Sequence, residues 1–187
     1  MQKLLFGLSI ILLTLISGCS NNPTKTPLEK RQVIIDMRNQ VLNDLYKIKP
    51  DVKAQIAKAE GYAVFSNANI NLVFASVGAG HGVVHDNQSG KNTFMKMGEA
   101  GVGLGFGIKD FRVVFVFHSR DALTQFVDSG WAFGVNADAA AKASEKGGAV
   151  GGEATFDNIT VYQLTESGLA LQATVKGTKF WQDNELN

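Results

Sequence analysis

Ala59-Glu60-Gly61-Tyr62-Ala63-Val64-Phe65 is the stretch in which the hydrophobic period of the chain changes. Before it, residues 51–60 are rich in Ala and Lys and read as a short helix that Gly61 is placed to end. After it, β-branched and aromatic residues dominate, and 62–65 reads as a strand. The chain is therefore helical upstream of Gly61 and mainly β downstream. Pro50 separates the short helix from a longer one over 28–49. There, Ile34, Met37, Val41, Leu45 and Ile48 recur at the spacing of one apolar stripe, and Leu28, Ile35, Leu42 and Tyr46 form a second stripe beside it. Arg31 and Arg38 project along the seam between the stripes. Such a helix can serve a core on one side and lipid on the other, or sit in a groove of its own domain with the arginines snorkelling.

Downstream, 72–77 has strand composition, 86–91 is a polar turn around Asn87, Ser89 and Gly90, and 93–97 begins another strand. Gly78, Gly80 and Gly82 alternate with Ala79, His81 and Val83. Gly101, Gly103, Gly105 and Gly107 alternate with Val102, Leu104, Phe106 and Ile108. Period-two alternation means strand, with the glycines on one face. A face without side chains weakens a strand and makes sense where another chain segment, a helix or a ligand comes close. Residues 111–117 form a strongly apolar strand. Ser119 can cap a helix over 120–129, with Asp121 in its first turn and Gly130 past its end. Residues 131–137 alternate again, 146–152 is a glycine-rich loop, and 159–164 with 169–175 makes a hairpin around Thr165-Glu166-Ser167-Gly168.

The beginning of the chain has a different logic. Lys3, the apolar run 4–15 and the small residues Ser17 and Gly18 precede Cys19, which is the layout of a bacterial lipoprotein signal. The apolar run is too short for a spanning helix, which needs roughly 20 residues. The expected division is a signal peptide over 1–18, lipidation (palmitate among the acyl groups) on Cys19, a flexible tether over 19–27, and one domain over 28–187. That domain is helical over 28–60 and mainly β over 61–181. Ser20, rather than an aspartate, follows the cysteine. The expected location is the cell envelope, on the outer membrane facing the periplasm. Cys19 is the one cysteine of the chain, so disulfides and thiol chemistry are not expected.

Removing Lys3 with the signal leaves 17 basic and 17 acidic residues, a balance unlike the basic footprint of a nucleic-acid binder. The balance is uneven along the chain: residues 21–60 carry eight Lys or Arg against five Asp or Glu, next to the anchor. Anionic lipid would attract that segment.

Signatures of catalysis are weak. The glycines from 101 to 105 lack the third glycine of a dinucleotide fingerprint and lead into an apolar strand, and 147–152 is not followed by Lys-Ser or Lys-Thr. His81 and His85 are four apart in a strand, about 13 Å, too far for one ion. There is no Gly-x-Ser-x-Gly elbow. Carboxylates such as Asp110, Asp121, Asp128 and Asp138 lie at strand or helix ends, where turns and caps explain them. No enzymatic activity, cofactor or metal is expected. A hydrolase would require His81, His85 and His118 to converge in a cleft.

The opening heptapeptide is similar to the first motif of the SYLF domain family. The resemblance continues through Gly101-Val102-Gly103-Leu104-Gly105, Val113-Val114-Phe115-Val116-Phe117 and Ala122-Leu123-Thr124-Gln125-Phe126. It then runs through Gly130-Trp131-Ala132-Phe133-Gly134-Val135-Asn136-Ala137-Asp138, Thr160-Val161-Tyr162 and Ser167-Gly168-Leu169. It implies a compact α+β domain that binds lipid, with N-terminal amphipathic helices packed on a curved, glycine-rich antiparallel β-sheet or small barrel. Eukaryotic members bind phosphoinositide membranes, and some bind actin, a partner not expected in a bacterial envelope. The family supplies no catalytic residues. The expected partners are membrane lipid, through Cys19 and the domain, or an envelope protein for which the domain is a scaffold. Arg31 and Arg38 are the expected head-group contacts, from helix geometry alone.

Overall fold

The computed structural model describes residues 25–72, 75–101, 107–133, 149–150, 153–156, 158–165, 168–169 and 176–187. Helix α1 is Pro27–Ile48, helix α2 Val52–Lys58 and helix α3 Arg120–Ser129. The strands are β1 Gly61–Leu72, β2 Ala75–Asp86, β3 Asn92–Gly101, β4 Gly107–Phe117, β5 Trp131–Phe133, β6 Ala149–Val150, β7 Glu153–Phe156, β8 Ile159–Thr165, β9 Gly168–Leu169 and β10 Lys176–Gln182. They form one antiparallel sheet in the order β5-β10-β3-β2-β1-β4-β8-β7-β6, with β9 paired to β8. The α+β class follows from the sequence. The barrel alternative does not hold, because among the described residues no pairing joins the two edges of the sheet.

Local chemistry sets the helix ends. Thr26 Oγ1 accepts from the Glu29 backbone N–H at 3.3 Å while a Glu29 carboxylate oxygen accepts from the Thr26 N–H at 2.7 Å. This reciprocal pair satisfies two donors that the first turn would otherwise leave open, and Pro27 needs none. The Thr26 backbone bond holds the Glu29 carboxyl below its usual range. Ser119 caps α3, and Gly130 leaves it at φ +66°, a left-handed conformation that suits glycine. The side-chain amide of Asn87, in the β2–β3 turn, donates to the Ile56 and Ala59 carbonyls at the end of α2, at 2.7 and 2.9 Å.

Strand alternation sends residues to two cores. On one face, Ala63, Phe65, Val84, Met95, Met97, Val113, Phe115, Phe117, Ile159, Val161 and Phe180 receive Leu123 and Phe126 of α3. The Phe65 and Phe180 rings meet edge-on with centroids 4.7 Å apart. On the other face, Tyr62, Val64, Val114, Val116, Tyr162 and Leu164 receive Val41, Leu42 and Leu45 of α1 with Val52 and Ile56 of α2. A third cluster joins Ile34 to Val83, Phe94 and Leu186. The first apolar stripe of α1 thus seats on the sheet, except at Ile48, which is exposed, and Leu42 of the second stripe is buried beside it.

The glycines of β2 make room for neighbouring side chains. Gly82 faces Phe65 directly across the β1–β2 ladder, and the Phe65 ring fills the place a Cβ would take. Gly80 stands opposite Asn67, whose buried amide crosses β2 to donate to Glu99 on β3 at 3.0 Å. Two expectations are corrected. The strand read at 72–77 is the end of β1 and the start of β2, since Leu72 pairs with Ala75. Within the expected loop 146–152, Ala149–Val150 is strand, paired with Glu153–Ala154. The signal 1–18, Cys19, the first part of the tether, Gly103, Gly105, residues 134–137 and the hairpin segment 170–175 lie outside the described residues.

Candidate functional site

The N-terminal half of α1 crosses β2 and β3 close to the turn that follows β10, and a groove of about 300 Å³ opens between them. Val33, Ile34 and Leu186 give it an apolar floor. Lys25, Lys30, His81 and Lys96 give it a basic wall, with Asp183 and Glu185 on the C-terminal side. Three lysines stand against two carboxylates.

The C-terminal turn is held firmly. Asp183 is 2% exposed, and its carboxylate pairs with Lys96 Nζ at 3.1 Å and accepts from the Glu185 N–H at 3.1 Å. A buried carboxylate without such partners would be costly. Lys30 reaches Glu185 at 3.6 Å across an exposed gap, a contact worth little in water. Asn187 bonds both backbone groups of Phe94, at 2.8 Å each.

The two arginines singled out in α1 are not among the side chains lining the groove. Arg31 is half-buried beside it. Its Nε donates to the Leu186 carbonyl at 2.7 Å, and its guanidinium carbon sits 6.0 Å from the centre of the Phe94 ring, within reach of a cation–π attraction. Arg38, two turns on, donates to Asn39 Oδ1 at 3.0 and 3.2 Å at the surface.

The histidines have separate surroundings. His81 is exposed in the groove. A ring nitrogen of His85 pairs with Asn92 Oδ1 at 2.8 Å, and the ring tilts over Tyr62. A ring nitrogen of His118 pairs with Thr160 Oγ1 at 2.8 Å. Among the described residues, no group of three or more His, Cys, Asp or Glu is placed to hold a metal ion. No described helix is long and apolar enough to cross a membrane.

The groove residues that the sequence reading does not name are Val33, Lys96, Asp183, Glu185 and Leu186, and it weighs His81 only as a metal or hydrolase candidate. His81 and Lys96 meet because they are register partners of β2 and β3, and strand composition does not encode register. Lys25 and Lys30 belong to the basic excess already visible in 21–60.

Residues 98–187 match the model of the family described as Ysc84, Las17-binding protein actin regulator. A curated relative, Beta cell expansion factor A of Aeromonas veronii, is 33% identical over 172 residues, which cover 88% of this chain and 61% of the relative. The chain therefore spans about three-fifths of the length of the curated relative it matches.

Proposed function

From the premise that residues 98–187 belong to the Ysc84 (SYLF) domain family, we propose that this chain is a non-catalytic envelope lipoprotein, anchored by acylated Cys19, whose domain itself binds the membrane surface. Family membership supports a lipid- or membrane-binding type of function in general. The observation that carries the finer reading is the groove. An apolar floor of Val33, Ile34 and Leu186 beneath Lys25, Lys30 and Lys96 suits an amphiphile with an anionic head. Arg31, at its edge, uses only its Nε–H on the Leu186 carbonyl, so a head group could meet its Nη donors without breaking that bond. Arg38 lies two turns on along the same helix, with Asn39 as its partner. The proposed location is the outer membrane, on the periplasmic side. Actin, named in the description of the family, is left out of the proposal, since a bacterial envelope offers none.

Vesicle co-sedimentation of residues 20–187, which contain every described element, tests the domain. Salt-sensitive binding to anionic vesicles is the expected result, because surface charge attraction is screened over about 10 Å at 0.1 M salt. Absence of binding to any vesicle would leave Cys19 as the membrane contact. Metabolic labelling with palmitate, lost in Cys19→Ala, tests the anchor.

A second reading, a scaffold for an envelope protein, is favoured by Leu28, Val33 and Ile48, which α1 leaves 72%, 47% and 47% exposed. In-cell cross-linking from position 28 to one protein species, in place of lipid, would support it.

A further inference from the structure

Helix α1 covers only part of its side of the sheet. Val83 and Phe94 lie beneath it, packed on Ile34. Farther along the same face, the ladder sets Trp181, Lys96 and His81 in one row, Lys179, Gly98 and Ala79 in the next, and Ala100 opposite Val77 in a third. His81, Val77, Ala79, Ala100, Lys179 and Trp181 are all exposed, with Val77 at 53% and Trp181 at 39%. The Trp181 ring lies over Gly98, where an added Cβ would come within 3.1 Å of it.

Resting on the lipid-binding reading above, we propose that this uncovered half-face, with Val77, Trp181 and Lys179 at its centre, is the surface by which the domain docks onto an anionic bilayer. Three observations select lipid as the occupant. Lysines outnumber carboxylates around the face, with Lys25, Lys30, Lys96 and Lys179 against Asp183 and Glu185. An indole with an apolar body and one N–H favours the boundary between hydrocarbon and water, and lysine stems reach from apolar contact to the head groups. The anchor also points here. Five residues separate Cys19 from Lys25, a span of at most about 20 Å when extended, and Lys25 lines the groove that His81 and Lys96 share. A bilayer holding the Cys19 acyl chains is thus close to this side of the sheet.

Intrinsic fluorescence tests the placement, because Trp131 and Trp181 are the two tryptophans of the chain. Residues 20–187 are mixed with phosphatidylethanolamine–phosphatidylglycerol vesicles, with and without acyl-chain bromination, and binding is followed in parallel by co-sedimentation. The expected result is a blue shift and bromine quenching that Trp181→Phe largely removes while circular dichroism stays unchanged. Val77→Glu is expected to weaken partitioning about tenfold, equivalent to about 1.4 kcal/mol. Co-sedimentation with no change in Trp181 emission, and with Val77→Glu partitioning like the parent, would overturn the face and leave lipid binding intact. No co-sedimentation would overturn lipid binding itself. A Trp181 shift that depends on protein concentration without vesicles would assign the face to a second copy of the chain and overturn the proposal.

Discussion

Gly82→Ala is the sharpest test of how the glycine-alternating strand works. A Cβ at position 82 would fall 2.5 Å from Phe65 Cγ, and against the Val64 carbonyl as well. Ordinary carbon–carbon contact is about 3.5–4.0 Å, so the ring must move by about an ångström. It has little room to do so. Phe65 is fully buried, with Phe180, Phe115 and Phe126 at centroid distances of 4.7, 6.0 and 6.1 Å. Overpacking of this kind costs typically about 1–3 kcal/mol. The clash with backbone as well as ring places Gly82→Ala at the upper end. At about 2–4 °C per kcal/mol for a chain of this size, Tm should fall by roughly 5–10 °C. Thermal and urea unfolding, followed by far-ultraviolet circular dichroism, reads the change. Gly90→Ala supplies the contrast. Nothing lies within 4 Å of its Cβ, but φ is +71°, so it should cost about 1 kcal/mol through backbone strain alone. Combining Phe65→Leu with Gly82→Ala should recover about 1 kcal/mol relative to the sum of the single changes, since both act on one contact. A Gly82→Ala protein within about 0.5 kcal/mol of the parent would refute the claim that the strand is bare to admit the ring.

Other substitutions probe other links in the argument. Arg120 joins Asp86 and Glu60 at 2.8 Å each, and its guanidinium holds the Asp86 carboxyl well below the usual carboxylate range. A depressed folded-state pKa contributes stability that is present above about pH 4 and lost as pH falls toward the depressed value. Arg120→Gln should therefore raise the midpoint of acid unfolding, which a circular dichroism titration would detect, and an unmoved midpoint would refute the assignment. Asn67→Asp puts a second carboxylate beside buried Glu99, raising the pKa of one of the pair. The variant should be clearly less stable at pH 8 and approach the parent as pH falls through that raised value, whereas a pH-independent deficit would point to lost packing. Thr26→Ala removes the α1 cap and should cost about 1 kcal/mol in urea unfolding. Leu186→Ala empties the corner that Ile34, Val83 and Phe94 enclose and should cost about 2–5 kcal/mol, with an unchanged unfolding midpoint as the refuting result.

Helices were the most legible part of the sequence. The 28–49 pattern became Pro27–Ile48, and the cap at Ser119 and stop at Gly130 bracket α3 as read. Caps and the 3.6-residue period act locally, so they are written locally. Gly61 likewise marks the start of β1. Residues 72–77 misled because β-branched and aromatic residues continue through the point where β1 gives way to β2. The short β6 was hidden because glycine-rich composition indicates turn wherever pairing does not override it. For the groove, the basic half was visible in Lys25 and Lys30. The sheet half depends on ladder register, and the place of Asp183–Leu186 depends on how the turn after β10 packs against α1. Both are long-range outcomes that spacing cannot express.

The bond from Arg31 to Leu186 spans 155 residues. Synthesis delivers the chain in order, so α1 leaves the ribosome long before the residue that completes its seat. Until Leu186 arrives, Ile34 has an unfinished pocket beneath it, and the apolar stripe of α1 is available to chaperones. The β1–β4 ladder brings together residues much nearer in sequence and has no such wait. The corner where α1 meets the turn after β10 is therefore completed late, together with β10 itself, whose pairing with β3 and β5 also waits for residues 176–182.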